Sequence, residues 1–508
     1  MIPNTFPHYV FIRVCIWGLR AVAPASLVYC AVRLIGYSLV PPPLEILAFV
    51  EAAFYLCAGL PRQYVLDKSK PRSLQRTRQE RRELFDRCFR NVPDLDTFLV
   101  TWFKDRPLDD LRAENVKDFL AWGFFYKTRG SPEDDDELDE YLHETERILG
   151  RKFPPGRGPH HPAQVSTDPL HMQHKPFFFY VFAVGSDDLM TYAALRWYGL
   201  DHCRLLLSRS LSVFPFRPHT ILSRHTSPSS HLSYWYRPHT STKRRPVLFL
   251  HGVGAGLRTY ASFLGEFIRQ DGATNRDDDG QTGIIAIEIM PISMRMTGGC
   301  LPRSEMLTEL LRILHHHDWD DLKLAVVAHS YGTILATHLL QALEPERLGP
   351  MLLIDPVTIS IHWGEVPYNF LYRKPRSASE WQLQYFASAD MGVAHAITRR
   401  FDWSENVLWK DDMKRHQQGM TVVLSGRDII IEPHAVKQYL LEDKELNFRF
   451  VDSRNYYRGG EDGGEDVFGG RGMGLLWYDH ANHAEMFDTA RDMKPLVDIL
   501  IKYCSMVD

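Results

Sequence analysis

The decapeptide Val326-Val-Ala-His-Ser330-Tyr-Gly-Thr-Ile-Leu335 places a serine between two small residues, directly after an apolar run. A hydroxyl that attacks an acyl carbonyl must stand clear of the backbone, and a sharp strand-to-helix turn achieves this with strained φ/ψ angles. Gly332 supplies the small residue that such a turn needs after the serine, whereas Ala328 replaces the glycine before it. The stretch predicts a nucleophile elbow. The competing interpretation is a serine in an ordinary turn between a strand and a helix.

The segments around this turn alternate between strand and helix patterns. Five continuous apolar runs are typical of strands buried on both faces, and helical periodicity follows two of them. Strands alternating with helices predict an α/β fold with a mostly parallel central sheet. The runs lie at 246–250, 283–290, 322–327, 351–355 and 421–425, and the periodic stretches lie at 301–315 and 331–343.

Four motifs occur along the second half of the chain in a fixed order. The first apolar run ends in His251-Gly252, Ser330 follows, an aspartate comes after a later strand, and a histidine lies near the C-terminus. With these motifs the chain resembles the α/β-hydrolase superfamily over residues 230–508. The resemblance implies a mostly parallel sheet with a cap insertion after the sixth strand.

The resemblance also implies a catalytic triad. Asp428, in a glycine turn after a strand, matches the acid, and His483 matches the histidine. In such a triad His483 accepts the proton of Ser330, while the acid orients the imidazole and stabilises its charged form. Asp355, after the preceding strand, is the alternative acid, and His480 is the alternative base.

An oxyanion hole is expected from the same resemblance. Its donors would be the backbone N–H groups of Val253, in the loop after the first strand, and Tyr331, at the start of the elbow helix. Gly252, Gly254 and Gly332 would matter because they leave the backbone accessible, since a glycine has no side chain to obstruct it.

Composition narrows the class of protein. With 508 residues, 44% of them apolar, and a formal net charge of −4, the chain can bury a large core and has no overall bias toward nucleic acid. Seven cysteines without a C-x-x-C pair argue against a disulfide framework and against a thiolate zinc site. Reduced thiols, an intracellular setting, and no metal or organic cofactor are therefore expected.

The N-terminal region is strongly apolar between residues 9 and 60, and three consecutive prolines, 41–43, divide it. The two stretches, 21–40 and 44–60, are each about long enough to span a bilayer. Charged residues within them make the spans imperfect, because a charge in the middle of a bilayer is costly unless it is paired. Membrane insertion or interfacial embedding is predicted, and a buried helical hairpin is the alternative. The charged residues are Arg33, Glu45 and Glu51.

A basic segment, 68–82, follows the apolar region. By the positive-inside rule it predicts that the catalytic half faces the cytosol. Contact with membrane lipids is expected through 9–60 and through this segment, where anionic headgroups would meet the basic side chains. A solvated helix face is the alternative. The basic residues are Lys68, Lys70, Arg72, Arg76, Arg78, Arg81 and Arg82.

Three regions are predicted along the chain. Residues 1–64 would form a membrane-associated helical hairpin, and residues 65–229 a helical extension that packs on the catalytic domain of residues 230–508. A cap at about 358–420 carries many tryptophan, tyrosine and phenylalanine residues. Such side chains are suited to covering an apolar substrate.

The motifs together predict a membrane-associated serine hydrolase that cleaves a carboxylic ester of a hydrophobic substrate through an acyl-enzyme. Acyl transfer to an alcohol with the same triad is an alternative, because the acyl-enzyme would be shared. A second alternative, from another class, is a non-catalytic membrane-anchored scaffold that keeps the hydrolase fold, since a fold alone does not establish an activity.

Overall fold

The computed structural model describes residues 1–70, 74–274, 279–416, 418–456 and 472–505. Within these residues, ten strands form one sheet with the order β2-β1-β3-β5-β4-β6-β7-β8-β10-β9. The strands are β1 (Asp201–Arg204), β2 (His225–Thr226), β3 (Ser233–Arg237), β4 (Val247–Leu250), β5 (Ile284–Glu288), β6 (Leu324–His329), β7 (Leu348–Ile354), β8 (Met420–Ser425), β9 (Arg449–Asp452) and β10 (Met473–Tyr478).

Helices lie before the sheet and between its strands. In chain order they are α1 (Phe6–Leu34), α2 (Pro42–Phe54), α3 (Leu60–Asp67), α4 (Arg78–Arg90), α5 (Leu95–Trp102), α6 (Ala113–Phe125), α7 (Asp135–Leu149), α8 (Gly185–Trp197), α9 (Leu207–Ser210), α10 (Ala261–Thr274), α11 (Arg303–His316), α12 (Gly332–Ala342), α13 (Glu365–Pro367), α14 (Ala378–Gln382), α15 (Met391–Arg399), α16 (Lys410–Arg415), α17 (Pro433–Leu441) and α18 (Ala490–Ser505).

The sheet is parallel from β5 to β9, and β3 is antiparallel to both of its neighbours. Parallel sheets are stable when helices cover both faces, and the side chains of β4 alternate accordingly. Leu248 and Leu250 contribute to the core on one face, together with side chains of α11 and α12. Val247 and Phe249 pack on the other face with α10 and α18. The predicted α/β fold class is confirmed.

The sheet begins earlier in the chain than the predicted catalytic domain does. The strands β1 and β2 precede residue 230, and β1 pairs with β3 through Asp201, His202 and Cys203. The boundary at 230 is therefore wrong for the sheet, which starts at β1. These two strands are short and partly polar, so they lack the apolar run that identifies a buried strand in sequence.

The cap lies between β7 and β8, and β7 is the sixth strand when the two-residue β2 is set aside. The helical extension packs on this cap. The Trp102 Nε1–H donates to the carbonyl oxygen of His362, and the Phe124 ring meets the Trp403 ring edge-on at 5.9 Å. The aromatic side chains of both segments thus belong to one packed core, and the cap is supported from outside the sheet.

The basic segment 68–82 is partly engaged with the protein itself. Arg78, Arg81 and Arg82, on α4, form ion pairs with carboxylates of α4 and α7. Arg72 lies outside the described residues. Ion pairs of this kind occupy the guanidinium groups that headgroups would need, and contact of the segment with lipid stays a prediction.

Candidate active site

Ser330 lies in the sharp turn between β6 and α12. Its φ angle is +50°, in the left-handed region that L-residues other than glycine adopt only at a cost. The Ser330 N–H donates to the carbonyl oxygen of Ile354, at the end of the neighbouring strand β7, at 2.9 Å. The turn is therefore strained and anchored at once, which is the conformation that the predicted elbow requires.

Two positions at this turn require glycine, because atoms of neighbouring segments lie too close to leave room for a Cβ atom. A Cβ atom on Gly332 would lie 2.1 Å from the carbonyl oxygen of Leu250. A Cβ atom on Gly252 would lie 2.8 Å from His329 Nδ1 and 2.9 Å from the Cβ of Ser330. The elbow and the loop after β4 thus touch through positions that only glycine fits.

Gly332→Ala is expected to lower the free energy of unfolding by about 1 to 3 kcal/mol, because the added methyl group must displace the backbone of β4. Thermal unfolding followed by circular dichroism measures the loss. The matched control is Gly298→Ala, since no described atom lies within 4 Å of the Cβ position there. Equal melting temperatures for the two variants would contradict the close approach.

The structure brings Ser330, His483 and Asp428 together. The Oγ of Ser330 lies 2.9 Å from His483 Nε2, and the Nδ1 of His483 lies 2.6 Å from Asp428 Oδ2. With Nδ1–H donating to the carboxylate, Nε2 can accept the serine proton. Asp428 also accepts the N–H groups of Ile430 and Ile431 through its other oxygen, which fixes the carboxylate.

The histidine of this series has a perturbed pKa. Burial alone would lower the pKa of His483, but the Asp428 carboxylate and its hydrogen bond outweigh burial. The pKa of His483 consequently lies above its ordinary value. An imidazole made more basic in this way is a better acceptor for a hydroxyl proton.

The loop after β4 faces the elbow. Among the described residues, no protein acceptor takes a hydrogen bond from the backbone N–H of Val253 or of Tyr331, and both residues line the cavity that contains Ser330. Gly254 has a φ of +144°, which a side chain would disfavour. The two residues of the predicted oxyanion hole thus line the same cavity as Ser330.

The site residues follow the strands of the sheet in a fixed order. The sheet is mostly parallel, the serine follows β6 at a sharp turn, the acid follows β8, and the histidine follows β10. This chain order, Ser then Asp then His, on such a sheet is distinctive. The chain has the α/β-hydrolase fold.

The sequence matches no family model and no curated protein. Three solved structures to which the chain is similar are a membrane phospholipase A described as a bacterial virulence factor, a putative lipase from Acinetobacter baumannii, and the naproxen esterase of Bacillus subtilis. Their identities are 11%, 9% and 11%, with TM-scores of 0.37, 0.37 and 0.34. The matches cover 63%, 61% and 62% of this chain and 92%, 93% and 96% of those chains.

Asp355, the alternative acid, lies near His483 but farther from it than Asp428 does. Its Oδ2 is 3.9 Å from His483 Nδ1, farther than that of Asp428. Its two oxygens accept the N–H and Oγ–H of Ser425 and the N–H of Ala484. Burial, followed by the nearby Asp428 charge, raises the pKa of Asp355. Asp355 therefore ties together the loops that carry the acid and the histidine.

His480, the alternative base, is not brought to the serine. Its side chain is 52% exposed, and its Nε2 lies 3.4 Å from Asp492. His480 is the second residue after the end of β10, whereas His483 lies three residues farther along, in the turn that reaches the elbow. Of the two histidines, the structure places only His483 within hydrogen-bonding distance of Ser330.

Two residues that support the loop after β4, Tyr260 and His251, were not among the predicted site residues. The Gly252 N–H donates to the Tyr260 hydroxyl, which lies 2.7 Å from His329 Nδ1. His251 Nε2 accepts the N–H of Ile289, and its Nδ1–H donates to the carbonyl oxygen of Gly252. Tyr260 and His251 thus hold the loop after β4 against the elbow. Only the position of His251 at a strand end hinted at such a role.

A cavity of about 360 Å³ opens above Ser330 and His483. Volumes of this order accommodate small-molecule ligands. Most of its wall is apolar and comes from the cap, the loop after β4 and the helical extension. The apolar lining residues include Trp102, Trp122, Val357, Ile361, Val366, Phe370, Leu383, Phe386, Ile397, Phe401 and Ile430.

Proposed function

We propose that this protein is a serine hydrolase that cleaves a carboxylic ester of a hydrophobic substrate. The hydrogen bonds that join Ser330, His483 and Asp428 in series support this function most strongly. A serine at the elbow favours an acyl-enzyme, whereas an aspartate there would favour an alkyl-enzyme. No metal or organic cofactor takes part in the proposed reaction.

The reaction follows from the direction of each hydrogen bond. His483 Nε2 accepts the Ser330 proton as Oγ attacks the carbonyl carbon, and Asp428 stabilises the imidazolium. The N–H groups of Val253 and Tyr331 donate to the developing oxyanion. Collapse breaks the ester C–O bond, and the leaving alkoxide takes the proton from His483. Water then attacks the acyl-enzyme with His483 again as the base, which releases the carboxylic acid and restores the Ser330 hydroxyl.

The substrate class is inferred from the cavity wall. Side chains such as Ile361, Phe370 and Ile397 surround the space next to Ser330. Transfer of an acyl chain or ring from water onto these side chains releases about 25 cal/mol for each Å² of apolar area buried. Esters of long acyl chains are therefore the proposed substrates.

A series of p-nitrophenyl esters, from acetate to palmitate in mixed micelles, tests this function. We expect kcat/KM to rise from acetate toward the long-chain esters, because each added methylene group is buried. Absence of turnover in folded protein would favour the non-catalytic scaffold. Adding a long-chain alcohol distinguishes the acyltransferase alternative, since transfer would yield a new ester in place of free acid.

Val357→Phe is expected to reduce kcat/KM for palmitate more than for acetate, because Val357 lines the cavity and the larger ring takes up acyl space. The ratio of the two kcat/KM values measures the effect. The matched control is Val65→Phe, at an exposed position on α3. An unchanged ratio in the Val357 variant would show that the acyl chain binds elsewhere.

Membrane association is also proposed, with the catalytic half on the cytosolic side. Two helical stretches, Phe6–Leu34 and Pro42–Asp67, are long and apolar enough to cross a membrane by length and composition. Membrane association would place the enzyme near water-insoluble esters, whose concentration in the aqueous phase is low. The basic segment 68–82 supports the proposed orientation.

A further inference from the structure

The first half of α1 is docked on the cap. Ile12 and Ile16 are buried against Ala378 and Tyr385. The guanidinium group of Arg13 stacks on the ring of the cap residue Trp381. The Cζ atom of Arg13 lies 3.8 Å from the centroid of that ring. This part of the helix thus faces protein on one side.

The α2–α3 helical stretch is also docked on the protein, beginning at Glu51. Glu51 is fully buried, and its two carboxylate oxygens accept the N–H groups of Phe177 and Phe178. One turn later, the ring of Phe54 meets the ring of Phe177 edge-on at 5.5 Å. A carboxylate that caps another helix in this way is satisfied by protein. Glu51 therefore marks the point where this helix is fixed to the folded domain.

Between these docked parts the chain projects as a helical hairpin tip, residues 27–50. The two limbs contact each other, as the 6.4 Å distance between the rings of Tyr29 and Phe49 shows. Apolar side chains are exposed along both limbs and in the loop, up to 89% for Leu34. They are Val28, Leu34, Ile35, Tyr37, Leu39, Leu44, Ile46, Leu47, Phe49 and Val50.

The charges of the tip neutralise each other. Arg33 Nε lies 2.6 Å from Glu45 Oε1, so the two charged side chains of the tip form an ion pair across the limbs. Pairing lowers the cost of bringing both groups into a low-dielectric environment. The tip is thus an apolar projection with no net charge.

The length of the tip decides how far it could reach. From Ser26, which is buried, to the end of α1 at Leu34 there are eight residues, or about 12 Å of helix at 1.5 Å per residue. The hydrocarbon core of a bilayer is about 30 Å thick. The projecting part is therefore long enough for one leaflet and too short for two.

Exposed apolar side chains also surround the base of the tip. Phe182 and Phe216 are largely exposed, and the ring of Phe216 packs edge-on against that of Phe214 at 5.9 Å. The Phe214 ring in turn lies 5.2 Å from the ring of Phe54, just below the tip. An apolar collar of this kind is suited to the boundary between headgroups and acyl chains.

We infer that the hairpin tip inserts into one leaflet of a lipid bilayer and does not cross it. The collar then rests at the interface, and the cap lies next to the membrane surface. The inference concerns the anchor alone and is independent of the proposed hydrolysis. Both helical stretches are long and apolar enough to span a bilayer, but outside the tip each is fixed to the folded domain on one side, through Ile12 and Ile16 in α1 and through Glu51 in α2.

Cysteine accessibility at the loop of the tip tests this topology. The full chain, with Cys15, Cys30 and Cys57 replaced by alanine, carries Ser38→Cys and is synthesised cell-free with sealed phosphatidylcholine–phosphatidylserine vesicles. A membrane-impermeant maleimide is supplied either outside the vesicles or trapped inside them. Ser304→Cys in the same background is the control, because this exposed position on α11 must react from outside.

We expect Ser38→Cys protein that floats with the vesicles to resist both reagents and to react fully after detergent is added. Reaction with the trapped reagent would show that the hairpin crosses the bilayer. Reaction with the outside reagent, or failure to float, would show that the tip is not inserted. Resistance that persists in detergent would indicate that a second copy covers the tip. Each of these three results overturns the inference.

Discussion

Asp428→Asn is expected to lower kcat/KM about 10⁴-fold, the loss typical of a triad acid replaced by its amide. The amide cannot both accept the His483 Nδ1–H and stabilise the imidazolium. Asp355→Asn is expected to cost about tenfold, because it loses the hydrogen bond from the Ala484 N–H but leaves the Asp428–His483 bond intact. Ester hydrolysis by the two purified variants measures the difference, and the reverse ranking would make Asp355 the acid.

The pH dependence of kcat/KM in the Asp355→Asn variant distinguishes an electrostatic role of Asp355 from a purely structural one. The Asp355 carboxylate, after that of Asp428, helps to raise the pKa of His483. Hydrolysis requires neutral His483, so the acid limb of kcat/KM follows this pKa. Asp355 is itself charged only above its raised pKa of about 7. Removing that charge lowers the pKa of His483, so the upper part of the acid limb should move to lower pH. If the acid limb of the kcat/KM profile stays in place or moves to higher pH, an electrostatic effect of Asp355 on His483 is contradicted.

Ser330→Ala is expected to reduce kcat for ester hydrolysis by about 10⁵-fold or more, since loss of a triad serine removes the covalent pathway. Its melting temperature should stay close to that of the unaltered protein, because alanine keeps the Cβ and only the hydroxyl is lost. Ser304→Ala, an exposed serine on α11, is the control for stability and activity. Residual activity within tenfold of the original would place the nucleophile elsewhere.

The strands and the elbow could be predicted because they are local patterns. The buried apolar runs before Ser330 and before Asp428 identify strands by hydrophobicity alone, and the spacing to Gly332 identifies the turn. The four motifs of the second half of the chain also occur in an order that restricts the topology of the sheet. Those features need only a few neighbouring residues, so the sequence carries them directly.

Other features depend on contacts between distant segments. The strands β1 and β2, at one end of the sheet, were not predicted because their sequences are short and polar. They are strands because β1 pairs with β3 and β2 pairs with β1. The role of Asp355 as a tie between loops arises from Ser425 and Ala484, which lie 70 and 129 residues away. Burial of Glu51 beneath Phe177 likewise has no signal in the apolar stretch around it.

The measurement that tests the central claim most directly is covalent labelling of the detergent-solubilised full chain with a fluorophosphonate probe, followed by mass spectrometry of the labelled peptide. We expect the label on Ser330, retained in His480→Ala and lost in Ser330→Ala and His483→Ala, because of these two histidines it is His483 that lies within hydrogen-bonding distance of the serine. Folded protein that remains unlabelled, or a label on another serine, would contradict the assignment of Ser330 as an activated nucleophile.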